Sequence, residues 1–206
     1  MHSFAFTGPG EVDAFEVLGI AVDVGVCGHN HCVYVSDTSL KFIHRLALSG
    51  GKTTHWPVSL KDRPACLSLV VKHSLLVTRR YASKIKEFTT HGQSLHKFVL
   101  PQEVCLPWHS DQLFSGLLLV CHGFVFHEEI LHRVCLMGSD GKVVKSYGGP
   151  QGSGMEQMDT PSNMAIDENE NVFCCRSKQR QNIVTVTNVS VHAQNRVTRT
   201  TSMASL

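Results

Sequence analysis

Gly19-Ile20-Ala21-Val22-Asp23, then His31-Cys32-Val33-Tyr34-Val35-Ser36-Asp37, then Leu40-Lys41-Phe42-Ile43-His44-Arg45-Leu46 decide the fold, because this three-part order returns three more times along the chain. Each unit is a short apolar strand, a turn, a second apolar strand and a third with branched or aromatic residues. The second unit runs through residues 64–70, 74–79 and 84–88, the third through 101–106, 116–121 and 132–136, and the fourth through 161–167, 171–175 and 182–186. Aligned on Val17, Pro64, Pro101 and Pro161, the units are spaced by 47, 37 and 60 residues. Their mean fits the ~40–45 residues of a four-stranded propeller blade. A single small sheet cannot cover both of its faces, so such units stack. Fourth strands are readable at Leu95-His96-Lys97-Phe98 and at Lys142-Val143-Val144-Lys145-Ser146-Tyr147, the latter after the hairpin pair Asp140-Gly141. A β-sandwich with regular hairpins is the competing architecture; the repeated strand order argues against it.

Working outward, 42% hydrophobic and 17% charged residues describe an ordinary globular chain rather than a disordered one. At 206 residues a compact fold buries roughly 70% of the unfolded surface. The longest apolar stretch, 113–126, contains His122 and is too short to span a bilayer. The start, Met1-His2-Ser3-Phe4, lacks the basic segment and apolar run of a signal peptide. Eight cysteines scattered among apolar runs read as buried thiols, which favours a reducing, cytoplasmic setting. The net charge of +2 conceals segregation: −5 over residues 1–37, +9 over 38–98, −7 over 99–175 and +5 from 176 onward. Such asymmetry bears on partners, not on fold.

The residues also resemble NHL repeats. Phe6-Thr7-Gly8-Pro9-Gly10 leads through Phe15 to Gly19-Ile20-Ala21-Val22-Asp23 and Val33-Tyr34-Val35-Ser36-Asp37; Tyr147-Gly148-Gly149 leads through Met158 and Pro161 to Met164-Ala165-Ile166-Asp167 and Asn171-Val172-Phe173. The middle two units match by spacing and apolarity, and carry Val70 and Pro107 where the strand-end Asp belongs. The resemblance implies an all-β propeller of NHL-like four-stranded blades, here an incomplete ring or open arc of about four. Residues 1–190 hold the blades, and 191–206 are expected as a flexible tail. Phe4-Ala5-Phe6 reads as the outer strand of a further blade. It is nearest to the C-terminal propellers of tripartite-motif ubiquitin ligases and so implies a non-catalytic module that recognises protein targets. Ligase activity would need a RING module, and this chain contains no CxxC pair.

Two alternatives stand beside that reading. Lys41, Arg45, Lys72, Arg79, Arg80, Tyr81, Lys84 and Lys86 form a basic stretch with one aromatic, a pattern that suits phosphates and stacked bases of single-stranded RNA. Lys52 adds to it. Related propellers also include metal-dependent hydrolases and lyases. Candidate ligands here are weak: Cys27, His29, His31 and Cys32 crowd one short turn. Asp23, Asp37 and Asp167 read as turn caps, and His44, His73, His122 and His132 lack supporting spacing. Gly8-Pro9-Gly10 and Gly148-Gly149 read as turns. The insertion at 124–130 is a candidate recognition loop. The reading therefore expects no catalytic residue, no metal, no cofactor, no membrane and no small-molecule substrate.

Overall fold

The computed structural model describes residues 21–37, 40–50, 53–58, 64, 66–70, 73–79, 81–123, 131–152, 157–176, 182–187 and 196–201. All regular structure among them is β. Blade 1 comprises β1 (Ala21–Cys27), β2 (Cys32–Asp37), β3 (Phe42–Ala47) and β4 (Thr54–Pro57). Blade 2 comprises β5 (Cys66–Leu69), β6 (Leu75–Arg79), β7 (Lys84–Phe88) and β8 (Ser94–Val99). Blade 3 comprises β9 (Pro107–Gln112), β10 (Leu118–His122), β11 (His132–Met137) and β12 (Val143–Gly149), and blade 4 comprises β13 (Pro161–Ile166), β14 (Val172–Arg176), β15 (Asn182–Thr187) and β16 (Arg196–Thr201). Each sheet is antiparallel in chain order, and β1, β5, β9 and β13 pack in succession, which makes the first strand of every blade the inner one. Among the described residues no strand closes the arc. The described residues form four blades of an incomplete or open propeller.

The backbone repeats more faithfully than the side chains. In blades 2, 3 and 4 the turn after the inner strand carries the same two hydrogen bonds: Val70, Leu113 and Asp167 each donate to the carbonyl four residues on and accept from the amide three residues on. That third residue sits in the left-handed region in all three, at His73 (φ 56°), Gly116 (φ 86°) and Glu170 (φ 57°), and His31 (φ 46°) does the same in blade 1. This is a type I turn followed by a left-handed residue, whose twist suits a tight hairpin. The turns between third and fourth strands repeat it with glycine, at Gly92 and Gly141. Gly92 has a second constraint, because a Cβ there would lie 2.5 Å from the Trp56 ring.

Alternation along the strands sends one set of side chains to each neighbouring blade. Tyr34, Ile43 and Trp56 meet Leu75, Val77 and Phe88 between blades 1 and 2. Leu76, Ile85 and Phe98 meet Leu118, Val120 and Met137 between blades 2 and 3. Leu119, Leu136 and Tyr147 meet Met164 and Val172 between blades 3 and 4. The apolar runs of blades 2 and 3 are thus sheets covered on both faces, whereas Val24 and Val26 of blade 1 stand exposed.

Three sequence expectations shift. The inner strand of blade 3 is Pro107–Gln112, not 101–106, which form the connector. Leu106 (φ 50°) before Pro107 matches Thr160 (φ 51°) before Pro161, so Pro107 is the repeat's counterpart of Pro161. In blade 1 the inner strand continues through Cys27 to a turn at 28–31, where a loop from Val24 was expected. The segment expected as a flexible tail contains β16, which pairs with β15 from Thr187↔Arg196 to Asn182↔Thr201 and supplies the outer strand of blade 4. Phe4-Ala5-Phe6 and the 124–130 insertion lie outside the described residues.

Candidate functional site

Inner strands face the propeller axis, where water reaches them, so polar residues survive there. β9 reads Pro107-Trp108-His109-Ser110-Asp111-Gln112, the most polar of the inner strands described in full. Ser68, the polar residue of β5, crosses to it: Ser68 Oγ lies 2.9 Å from His109 Nε2. The other ring nitrogen, His109 Nδ1, is buried with no hydrogen-bond partner. Asp111, two residues on and therefore on the same side of β9, is half-buried. Burial raises its carboxyl above the ordinary carboxylate range, while the Gln112 amide and the nearby His109 charge pull the other way. Beneath this group Thr78 Oγ1 and Ser110 Oγ, both fully buried, lie 2.6 Å apart and tie blade 2 to blade 3. A hydroxyl at hydrogen-bond distance from an imidazole, with a carboxylate alongside, can pass a proton to and from a bound molecule.

This group escaped the sequence reading. With the third inner strand placed at 101–106, His109 and Asp111 fell in a connector. The available signal was the alternation His-Ser-Asp-Gln directly after a proline, set against apolar first strands elsewhere.

The basic residues singled out from sequence are placed differently from one another. Arg79 is only 6% exposed. Lys84 pairs with it across β6 and β7, and Lys86 follows on the same side, so these three share the face toward blade 1. Lys86 Nζ donates to the Val58 carbonyl at 3.3 Å. Arg45 lies opposite Tyr34 on β3, its guanidinium against the Tyr34 hydroxyl, inside the same junction. Lys41 occupies the turn before β3, and its carbonyl accepts from the Val58 amide. Tyr81 stands 73% exposed. Lys72, Arg80 and Lys52 lie outside the described residues. Strand parity thus draws Arg79 and Arg45 between sheets, while Tyr81 stands in water, so the described members of the expected basic stretch do not form one continuous surface.

The remaining candidates behave as structure. Cys27 and Cys32 are buried and pair across β1 and β2, while His29 and His31 project from the turn. His29 stacks on His73 of blade 2, with ring centroids 4.3 Å apart. Asp37 Oδ1 accepts from the Leu40 amide, and Asp167 Oδ1 accepts from Asn169 and Asn171 amides, so both cap turns. The side chain of Asp23 is not described. His132 Nδ1 accepts from the Thr160 amide at 2.7 Å, joining blade 3 to blade 4. His122 is buried beside Cys135 Sγ at 3.4 Å; burial, then the charges of Arg133 and His132, push its ring down to about 4, and burial pushes the Cys135 thiol up to about 12. Both groups are thereby held neutral. His44 sits 3.6 Å from Asp37. Among the described residues no three His, Cys, Asp or Glu side chains converge as metal ligands, no helix is long and apolar enough to cross a membrane, and Cys27, Cys32, Cys105, Cys121 and Cys135 are not in disulfides.

No family model matches the chain, and no curated protein matches it in sequence. Solved structures do match. Virginiamycin B lyase from Staphylococcus aureus is similar at a TM-score of 0.64 and 17% identity, over 89% of this chain and 56% of that one. A candidate 6-phosphogluconolactonase from Bacteroides uniformis matches at 0.65 and 12%, over 96% and 59%. The nidogen/laminin complex matches at 0.64 and 14%, over 87% and 64%. These likenesses establish a β-propeller. The chain spans little more than half the length of these structures.

The expectation of a non-catalytic protein-interaction module, with its tripartite-motif context and its RNA alternative, is corrected by this result. The matching structures include enzymes, the lyase and the candidate lactonase. The nidogen match shows that a propeller of this kind also meets a protein partner.

Proposed function

We propose that the chain supplies an acid–base site of a catalytic propeller acting on an ester or lactone. The observation that carries this reading is the 2.9 Å contact between Ser68 and His109 on adjacent inner strands, with Asp111 two residues along. Water bound beside Ser68 adds to the acyl carbon as its proton passes through the Ser68 hydroxyl to His109 Nε2. The Asp111 carboxylate compensates the imidazolium so formed, and the same proton goes on to the alkoxide as the acyl C–O bond breaks. The fold neighbours support the class of reaction, since a lyase and a candidate lactonase share the architecture.

The competing role for the pair is a neutral tie between blades. Hydrolysis of p-nitrophenyl acetate and of a simple δ-lactone separates the two. His109→Gln should lower the rate roughly 10²–10⁴-fold, the range of a lost general base, and should remove the limb of the pH–rate profile due to the imidazole, with an unchanged melting temperature. A His109→Gln variant as active as the parent, or a parent with no turnover on either compound above buffer, defeats the reading.

A further inference from the structure

Cys27 and Cys32 close the hairpin that opens blade 1. They are direct antiparallel partners, the last pair of β1 and β2 before the turn at 28–31. Among the described strands, register places no other two cysteines opposite each other. Such partners stand about 4.5–5.5 Å apart at Cα, with their side chains on one face. A disulfide spans about 4.4–6.8 Å between Cα atoms, so the strand pairing already supplies the geometry of the bond. Cys121 and Cys135 make the contrast. They lie on neighbouring strands one step out of register, with Val120 opposite Cys135, and so they face different blades.

At rest both thiols are core side chains on the face toward blade 2, in the cluster of Tyr34 and Trp56. Burial raises the Tyr34 phenol above its ordinary value, the Arg45 guanidinium pulls the other way, and charge on Cys32 or Cys27 raises it again. Both sulfur atoms therefore lie near one oxygen. Cys32 Sγ donates to the Asn30 carbonyl at 3.0 Å, which holds it at the mouth of the turn. The cover on that side is thin: Gly28, His29 and His31 are exposed, and a Cβ at Gly28 would meet nothing within 4 Å. Local opening of this one turn, short of unfolding the blade, brings the thiols to water.

We propose that Cys27 and Cys32 form a reversible dithiol–disulfide site, oxidised by a small-molecule disulfide, whose closure latches the inner hairpin of blade 1. One cysteine thiolate attacks a sulfur of the oxidant, giving a mixed disulfide and expelling half of the oxidant as a thiolate, which takes up the proton the cysteine gave up. The second cysteine then attacks the protein sulfur of that mixed disulfide. The Cys27–Cys32 bond forms and the other half of the oxidant leaves as a thiol, so two electrons pass from the protein to the oxidant. The turn inside the ring carries His29, whose stacking on His73 joins blade 1 to blade 2, so the latch also stiffens that contact. The site is separate from the Ser68–His109 group, which lies between blades 2 and 3.

The full chain is equilibrated in buffers of graded oxidised-to-reduced glutathione ratio, quenched in acid, alkylated in urea and digested with trypsin. Residues 1–41 leave as one peptide whose only cysteines are Cys27 and Cys32. That peptide should lose two hydrogens, escape alkylation, and recover both thiols on adding dithiothreitol. The folded chain should reach its midpoint at roughly tenfold less oxidised glutathione, or lower still, than the same chain held in urea, because the fold holds the two thiols together. The oxidised chain should melt a few degrees above the reduced one, a shift absent from a Cys27→Ser/Cys32→Ser variant. A peptide that is doubly alkylated at every ratio overturns the proposal, as does one carrying two glutathiones. Equal midpoints with and without urea overturn it too, and so does a melting shift that persists in the double variant.

Discussion

The junction between blades 1 and 2 and the junction between blades 2 and 3 are built from similar apolar side chains but enclose opposite kinds of polar group. Between blades 2 and 3 the polar groups are hydroxyls, imidazoles and a thiol that meet one another, Thr78 with Ser110, Ser68 with His109, and His122 beside Cys135, while His109 Nδ1 stays unpartnered. Between blades 1 and 2 they are cations: Arg45, Arg79, Lys84 and Lys86. A neutral pair can be buried completely at little net cost once both partners are present. A cation cannot, so these side chains stay partly hydrated or turn toward a carbonyl or hydroxyl. The two junctions therefore pose different problems for burial, though their apolar frames are alike.

The largest expected effect tests whether the second junction is a fully packed interior. Leu76 is 1% exposed among Ile85, Leu118 and Val120, and Leu76→Ala should cost about 2–5 kcal/mol by urea denaturation. A loss below 1 kcal/mol would mean that the blades are loosely docked there.

The next uses pH. Because His122 is held near 4, well below the ordinary imidazole value, the folded chain binds its proton less readily than the unfolded chain. The stability is fully present above about 6.5 and is lost as the pH falls through about 4, an effect on the order of 3 kcal/mol. His122→Leu should flatten this part of the urea midpoint curve between pH 6.5 and pH 4. An unchanged slope in the variant would assign the acid sensitivity to other groups.

The smallest isolates one polar tie. Thr78→Val leaves the Ser110 hydroxyl buried without its partner and should cost about 1–3 kcal/mol; adding Ser110→Ala should recover most of it. Additive losses in that cycle would show that the two hydroxyls act independently, contrary to their 2.6 Å separation.

Much of this architecture was legible in the chain. The strands Leu75–Arg79, Lys84–Phe88 and His132–Met137 follow runs of branched and apolar residues, and Asp140-Gly141 marks its hairpin. The site was less legible. Pro101 and Pro107 both open plausible strands, and the left-handed Leu106 that distinguishes them is a backbone state that leucine does not advertise. β16 was missed because Arg196-Val197-Thr198-Arg199-Thr200-Thr201 is polar and reads as a tail until β15 is there to pair with it.

By itself the sequence determined the four units and most of their strands and hairpin turns, because these depend on alternation and on backbone preferences acting over a few residues. Only the tertiary structure decided that Ser68 meets His109 across 41 residues, that Thr78 meets Ser110 across 32, and that Arg79 and Lys86 turn inward while Tyr81 faces water. Those placements depend on how one sheet stacks on the next, and a shift of one residue in register would send every side chain of a strand to the other junction.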